Sequence, residues 1–274
     1  MTDVRTILRQ ASHALGDRLE AELLLGHALG VNRAWFFAHA DDALPAADEA
    51  VFDALVQRRV AGEPVAYITG YRDFWSLALE VTPATLIPRP ETELLVELAL
   101  VHLPEGGRLL DLGTGSGAIA LAVAKERPDA VVHAVDASAA ALDVAQRNAR
   151  RLGLRVAFHH GDWFAPLGDE RYDVIVSNPP YIEEADEHLA KGDLRFEPRS
   201  ALASGADGLD DIRRIIDGSP AHLHDTGWLM FEHGWNQGDA SRALFDVRRW
   251  SDVTTTRDLE HRDRVTGARW SSRA

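Results

Sequence analysis

Cysteine is absent from this sequence of 274 residues. Disulfide bonds and thiolate metal ligands are therefore excluded, and we expect no metal site. Long apolar runs are also missing, because no segment comes near the roughly 18 consecutive apolar residues of a membrane-spanning helix. Residues 1–10 are polar and mixed in charge, unlike a signal peptide. We expect a cytoplasmic protein that does not contact a membrane.

Basic side chains are scarce, with 29 Lys and Arg against 43 Asp and Glu and a net charge of −14. Nucleic-acid binding without sequence preference draws most of its affinity from phosphate contacts with basic side chains. We therefore expect no direct nucleic-acid partner. Apolar residues nevertheless make up 46% of the chain, which is typical of a globular protein with a sizeable core.

The first 72 residues predict a small helical domain. Apolar residues recur there at steps of three and four, as at Leu8, Ala11 and Leu15. Asn32 is placed to cap a helix that begins at Arg33. We expect this domain, residues 1–72, to be a separate substrate-recognition unit.

Residues 73–90 are interpreted as a connector. Apolar residues alternate with smaller or polar ones through 74–81, which is typical of a strand and indicates a β-hairpin. Three prolines between Pro83 and Pro90 then predict a rigid loop. A helix is expected to begin near Glu91 and to open the second domain, residues 91–274.

The second domain alternates strand-like and helical patterns. Such alternation is typical of an α/β fold with a doubly wound, Rossmann-like parallel sheet. The last two strand-like segments have no helix between them and predict a terminal antiparallel pair. The predicted strands span residues 108–112, 131–135, 155–160, 172–177, 227–232, 250–256 and 265–270.

A glycine-rich loop follows the first of these strands. Gly113, Gly115 and Gly117 alternate between a strand and a helix, as expected where backbone approaches a ligand closely. Asp136 ends the next strand, about 20 residues farther on, where a carboxylate accepts hydrogen bonds from ribose hydroxyls. The pattern predicts a nucleoside site. By themselves the loop and the acid fit NAD as well as S-adenosylmethionine.

Asp162 and Trp163, which follow the third strand, narrow the choice of cofactor. Asp162 is placed to accept a hydrogen bond from an adenine amino group, and Trp163 to pack on the adenine ring. Both positions suit a nucleoside that lies across the ends of the strands.

The most specific motif is Asn178-Pro179-Pro180-Tyr181, which follows the fourth strand. Consecutive prolines fix φ and favour extended geometry in the residue before each of them. The Asn178 side-chain oxygen and the Pro179 carbonyl thereby become two fixed acceptors. They suit a planar NH₂ group whose lone pair must be aimed at a methyl donor, while Tyr181 offers a flat face. We interpret Asn178, Pro179 and Tyr181 as catalytic.

At these residues the chain resembles the release factor glutamine methyltransferases, the protein-(glutamine-N5) methyltransferases. The resemblance covers nearly the whole sequence, and its motifs occur in the family's order. They lie at residues 62–70, 74–75, 85–93, 111–117, 178–181, 195–202 and 262–265.

The resemblance implies a class I methyltransferase fold with S-adenosylmethionine as cofactor. It implies that the N-terminal helical domain docks bacterial class I peptide-chain release factors and that residues 178–181 hold the glutamine amide of their Gly-Gly-Gln motif. We also expect a monomer. The implied cofactor-binding residues are Asp111, Gly113, Thr114, Gly115, Ser116, Gly117, Asp136, Asp162, Trp163 and Asn178.

Three other functions fit part of the sequence pattern. An adenine-N6 methyltransferase would also use an Asn-Pro-Pro-Tyr loop, but it must extrude a base and hold phosphates, which the net charge of −14 disfavours. A nicotinamide oxidoreductase leaves residues 178–181 unexplained. A nucleoside-binding scaffold without activity would need an altered target loop, defined as residues 178–181, and that loop is intact.

Overall fold

A computed structural model describes residues 2–272; Met1, Arg273 and Ala274, the outer ends of the two predicted domains, lie outside the described residues. The described chain divides into two compact units between Tyr71 and Arg72. Each unit has its own buried apolar cluster.

The first unit is helical. It contains α1 (Val4–Leu15), α2 (Arg18–Leu29), α3 (Arg33–Ala38), α4 (Ala46–Val60) and α5 (Val65–Thr69). Asn32 caps α3, as predicted, because its side chain accepts a hydrogen bond from the backbone N–H of Trp35. Gly16 and Gly30 end α1 and α2 with left-handed backbone. The buried apolar faces of α1 and α2 pack with Phe52 of α4 into one core.

A hairpin of β1 (Tyr71–Phe74) and β2 (Leu77–Glu80) follows. The predicted hairpin is confirmed, but the apolar alternation through 74–81 continues across its turn, where Trp75 and Ser76 have φ of 50° and 55°. Positive φ at both central residues matches the twist of a two-residue hairpin. The Glu93 carboxylate holds this turn by accepting the Trp75 backbone N–H at 2.9 Å, a contact that the apolar pattern does not reveal.

A mixed sheet of seven strands forms the centre of the second unit, in the order β5-β4-β3-β6-β7-β9-β8. Its first five members in the chain run parallel, and β9 is antiparallel to β7 and β8. The α/β fold and the terminal antiparallel pair are confirmed. The strands are β3 (Arg108–Leu112), β4 (Val131–Asp136), β5 (Ala157–His160), β6 (Tyr172–Ser177), β7 (Leu223–Glu232), β8 (Trp250–Arg257) and β9 (Asp263–Trp270).

Two apolar clusters cover the two faces of this sheet. Alternate residues of β3 point to opposite faces, with Leu109 in one cluster and Leu110 in the other. One cluster includes residues of α6 and α7, and the other residues of α9. The helices of this unit are α6 (Glu93–His102), α7 (Ala118–Glu126), α8 (Ala139–Leu152), α9 (Asp210–His222) and α10 (Gly238–Ala243).

Five of the seven strands differ from the prediction at one end, and among them β4 and β8 end one residue later and β9 begins two residues earlier. β5 begins at Ala157 rather than at residue 155. β7 begins at Leu223, before the predicted start at Gly227, with a register shift opposite Tyr172 and Val174. Its residues 224–226 are polar and exposed, so no apolar pattern marks them.

The connection from β6 to α9 contains short 3₁₀ turns at Glu187–Ala190, Gly192–Phe196 and Arg199–Ala201, and another turn, Pro90–Thr92, precedes α6. Within residues 2–272, no helix combines the length and the apolar character needed to span a membrane.

Candidate active site

The carboxyl ends of the parallel strands border a cavity of about 240 Å³. This edge is where ligands bind in open α/β sheets, because the loops that leave the strands meet there. Four predicted site residues, Asp111, Gly117, Pro179 and Tyr181, are not among the described residues that line the cavity. The predicted residues that line it are Gly113, Thr114, Gly115, Ser116, Asp136, Asp162, Trp163, Asn178 and Pro180.

Asp111 lies beneath the glycine loop and is fully buried. Its Oδ2 accepts hydrogen bonds from the Thr114 hydroxyl at 2.6 Å and from the Ala120 backbone N–H at 3.2 Å. Oδ1 is buried without a hydrogen-bond partner among the described residues. Burial raises the pKa of this carboxyl to about 7. Asp111 therefore joins the loop to the first turns of α7 and carries one unused acceptor.

Asp136 ends β4 and holds the glycine loop from the other side. Its Oδ2 accepts the Gly115 backbone N–H at 2.8 Å, and its Oδ1 accepts the Ser138 backbone N–H at 2.8 Å. Burial raises the pKa of Asp136, and these two hydrogen bonds oppose the shift. Each oxygen keeps a further lone pair at the cavity wall, as binding to ribose hydroxyls requires.

Two glycines of the loop have different reasons to be glycine, although both have positive φ. At Gly115 (φ +57°) an added Cβ would meet no described atom within 4 Å. At Gly117 (φ +87°) it would lie 2.9 Å from Leu121 Cδ1 and 3.3 Å from Ala145 Cβ. Gly117 thus serves the packing of α7, whereas Gly115 keeps backbone accessible at the cavity.

Asp162 and Trp163 both reach the cavity, each with a partner on α9. The exposed Asp162 carboxylate forms an ion pair with Arg214. Trp163 packs its ring over Gly113 and donates its indole N–H to Asp211 at 3.3 Å. Asp211 and Arg214 also line the cavity. Neither residue could be predicted from the sequence, since charged residues three apart on a helix resemble an ordinary solvated face.

Asn178 is the predicted target-loop residue with the clearest geometry. Its Nδ2 donates to the Thr92 hydroxyl at 3.1 Å. Its Oδ1 is buried and has no hydrogen-bond partner among the described residues. Buried amide oxygens are normally paired, so an unpaired one at a cavity wall is suited to a ligand donor. Pro179 is buried directly behind Asn178, and Pro180 lines the cavity.

Tyr181 donates its hydroxyl to Glu232 Oε1 at 3.1 Å. Glu232 is only 1% exposed, and its Oε2 accepts the Thr92 hydroxyl at 2.6 Å. Burial raises the pKa of Tyr181 well above its ordinary value, so the phenol stays protonated. Glu232 was missed by the sequence analysis. The available signal was an acid at the carboxyl end of the apolar strand β7.

A second buried acid fixes the loop that follows β6. Both Glu197 oxygens accept hydrogen bonds from Arg89 Nη2, at 2.8 and 2.7 Å, and the Glu197 side chain is 0% exposed. The adjoining Pro198, together with Ser200 and Ala201, lines the cavity. This ion pair therefore ties the proline-rich segment before α6 to the loop along the cavity.

Comparison with known proteins supports the same interpretation. The family model described as "Methyltransferase small domain" matches residues 90–231, and that described as "PrmC N-terminal domain" matches residues 5–70. A release factor glutamine methyltransferase of Xylella fastidiosa (strain 9a5c) is 57% identical over 92% of this chain and 93% of its own length. The chain belongs to the release factor glutamine methyltransferase family. It is therefore an S-adenosylmethionine-dependent methyltransferase, as the resemblance implied.

Two further comparisons agree with this membership. The release factor glutamine methyltransferase of Escherichia coli (strain K12) is 47% identical over 97% of each chain. A solved structure of a methyltransferase from Pyrococcus furiosus superposes with a TM-score of 0.56 at 17% identity, covering 78% of this chain and 97% of that one. The latter likeness supports the fold alone.

The residues around the cavity fit S-adenosylmethionine, which supplies an electrophilic methyl group on a sulfonium. The open space at Gly115 would admit the cofactor next to the backbone, and Asp136 keeps free lone pairs for hydroxyls. Trp163 offers a flat ring at the cavity wall.

Proposed function

We propose that this methyltransferase transfers the methyl group to the side-chain nitrogen, N5, of the glutamine in the Gly-Gly-Gln motif of bacterial class I peptide-chain release factors. The unpaired Oδ1 of Asn178 carries the proposal, because it is a buried acceptor at the cavity wall with no described partner. The relatives are release factor glutamine methyltransferases, which supports release factors as the substrate.

The chemistry follows from the weakness of an amide nitrogen as a nucleophile, since its lone pair is delocalised into the carbonyl. Asn178 Oδ1 accepts one of the two amide hydrogens, and the Pro179 carbonyl accepts the other. Both acceptors are held in place before the substrate arrives, so the nitrogen is oriented at little entropic cost. No general base is needed before the attack, because the nitrogen becomes strongly acidic only as it gains the methyl group.

Tyr181 packs beside the planar amide in this proposal. Its hydroxyl is already used by Glu232, so the tyrosine contributes its ring rather than a proton. The shape of the glycine loop at the cofactor cavity depends on four residues, Asp111, Thr114, Ser116 and Gly117. We assign the docking of the release factor to the helical unit, residues 2–71, and infer that a monomer acts in the cytoplasm, where release factors work.

The test offers the enzyme a choice of substrates. Labelled S-adenosylmethionine is incubated with the protein and either purified release factor, double-stranded DNA or RNA. We expect label in the release factor alone, and none when its motif glutamine is replaced by alanine. Label in a nucleic acid, or label that survives this replacement, would contradict the proposal.

A further inference from the structure

A chain of hydrogen bonds runs behind the target loop. Asn178 Nδ2 donates to Thr92 Oγ1 at 3.1 Å, and the Thr92 hydroxyl donates to Glu232 Oε2 at 2.6 Å. Tyr181 donates to the other carboxylate oxygen at 3.1 Å. Two residues of the target loop therefore converge on one buried acid through hydroxyl donors.

The Thr92 side chain does not cap α6, although its position predicts that it would. It immediately precedes α6, where a threonine side chain commonly caps the helix by accepting a backbone N–H. Here its side chain makes no capping bond, and the residue is 3% exposed. Its hydroxyl instead serves Glu232 and Asn178, so the threonine does not stabilise the helix end in the usual way.

Burying Glu232 in its charged form costs desolvation free energy. Burial raises the pKa of its carboxyl, and the hydrogen bonds from Thr92 and Tyr181 and the positive charge of Arg264 oppose that shift, whereas Glu91 adds to it. A buried charged acid costs free energy unless it is paired or hydrogen-bonded, so the hydroxyl donors Thr92 and Tyr181 stabilise the charged form of Glu232.

We propose that Thr92 and Glu232 are positioning residues that determine which atom of the Asn178 amide is left for the substrate. This inference rests on the proposed function, in which Asn178 Oδ1 accepts a hydrogen from the target amide.

The direction of the chain follows from what each group can donate. A carboxylate has no hydrogen to give, so it takes the hydroxyl hydrogens of both Thr92 and Tyr181. With its hydrogen committed, Thr92 Oγ1 can only accept from Asn178. The Asn178 amide must therefore turn its NH₂ group toward Thr92, and its oxygen remains available.

The reversed arrangement would block the proposed chemistry. If the group at position 232 donated to Thr92, the threonine hydrogen would be free to bond Asn178 Oδ1. The amide would then turn its NH₂ group toward the substrate, and two NH₂ groups would face each other without an acceptor. A glutamate in place of the target glutamine would, by contrast, fit this reversed amide better. Glu232 thus favours glutamine over glutamate as the target.

The first test removes the middle of the chain. Thr92→Val keeps the shape but lacks the hydroxyl, and Thr92→Ser restores it. We expect kcat on release factor to fall about 10- to 100-fold in Thr92→Val, while KM and the Kd for S-adenosylmethionine change less than about threefold. Thr92→Ser should recover most of kcat. Thr254→Val, the same change at an exposed position of β8, is the matched control and should leave kcat unchanged.

The second test removes the requirement that Thr92 donate its hydrogen to position 232, so the chain can reverse. Glu232→Gln places an NH₂ donor beside two hydroxyls, so one of them loses its acceptor. The probe is a release factor whose motif glutamine is replaced by glutamate, used as a competitive inhibitor. Glu232→Gln should have a lower kcat than the wild type. The ratio of its affinity for the glutamate form to its affinity for the glutamine form should be at least about tenfold higher than in the wild type. A merely structural role would weaken both forms equally.

A measurement without substrate separates the two proposals. The side-chain NH₂ signals of Asn178, identified by their loss in Asn178→Ala, should show slow hydrogen exchange in wild type and fast exchange in Thr92→Val.

Three outcomes would overturn the inference. They are a wild-type kcat in Thr92→Val and Glu232→Gln, an equal loss of kcat in Thr92→Ser and Thr92→Val, and unchanged hydrogen exchange at Asn178. If the wild type fails to label release factor at all, the proposed function fails, and the exchange rates still decide the inference. Should Glu232→Gln not fold, the position 92 variants give the same decision.

Discussion

Asn178→Ala removes the one buried acceptor at the cavity wall that has no described partner. The proposed chemistry assigns this oxygen to one of the two hydrogens of the target amide. Losing one preorganised hydrogen-bonding group in an active site costs about 2.7–4 kcal/mol, so kcat should fall by about 10² to 10³. Affinity for S-adenosylmethionine should change much less, because Asp136 and the glycine loop remain.

Asn178→Asp provides the sharper comparison. Aspartate keeps an acceptor of nearly the same shape, but its second oxygen replaces the Nδ2 that lies 3.1 Å from Thr92 Oγ1. The Thr92 hydrogen is already committed to Glu232 at 2.6 Å, so two oxygens would meet without a hydrogen between them. We therefore expect aspartate to be nearly as inactive as alanine at neutral pH, although acceptance alone would predict partial activity.

Single-turnover rates on release factor at saturating cofactor measure these effects, with thermal unfolding and calorimetric cofactor binding as controls for folding. Near-wild-type rates for Asn178→Ala would refute the role of the amide oxygen. Near-wild-type rates for Asn178→Asp alone would keep that role but refute the direction of the hydrogen bonds.

Three further predictions concern the glycine loop and the two aspartates, Asp111 and Asp136, that hold it. Asp136→Ala should weaken S-adenosylmethionine binding by about 1.5 to 3 kcal/mol in calorimetry; unchanged affinity would mean that the cofactor lies elsewhere. Without ligand, the folded state should bind one more proton than the unfolded chain between about pH 4 and the Asp111 pKa of about 7. The free energy of unfolding should therefore decrease as pH rises through this window, by at most about 4 kcal/mol. Denaturant titrations of Asp111→Asn should show a smaller decrease than those of the wild type, since Asp136 and Glu232, whose pKa values burial also raises, remain; parallel curves for the two proteins would disprove the assignment. Gly115→Ala should mainly lower the affinity for S-adenosylmethionine. Gly117→Ala should mainly lower the thermal stability, because its Cβ meets Leu121. Equal changes in both properties for the two variants would argue against separate roles.

The parts of the site that lie next to strand ends could be predicted from the sequence. Gly113 to Gly117, Asp136 and Asn178 each follow an apolar strand, and parallel strands bring their carboxyl ends to one edge. The parallel sheet and the terminal antiparallel pair could be inferred from the same periodicity, whereas the order of the strands comes from the structure.

What escaped prediction depends on contacts between distant segments. Thr92 and Glu232 are 140 positions apart, and the sequence of neither segment shows that the two side chains meet. Arg214 looks like a solvated helix residue until Asp162 is placed beside it. The hairpin turn at Trp75 interrupts an alternating pattern that continues across it, so periodicity alone could not locate the turn.

The central claim is that the methyl group is transferred to a glutamine side-chain nitrogen of a release factor. Tandem mass spectrometry of purified release factor, after incubation with the protein and S-adenosylmethionine, tests it most directly. The account predicts one added methyl group on the side-chain nitrogen of the Gly-Gly-Gln glutamine, and none with Asn178→Ala over the same time. A methyl group on another residue, or an unmodified release factor beside a methylated nucleic acid, would contradict it.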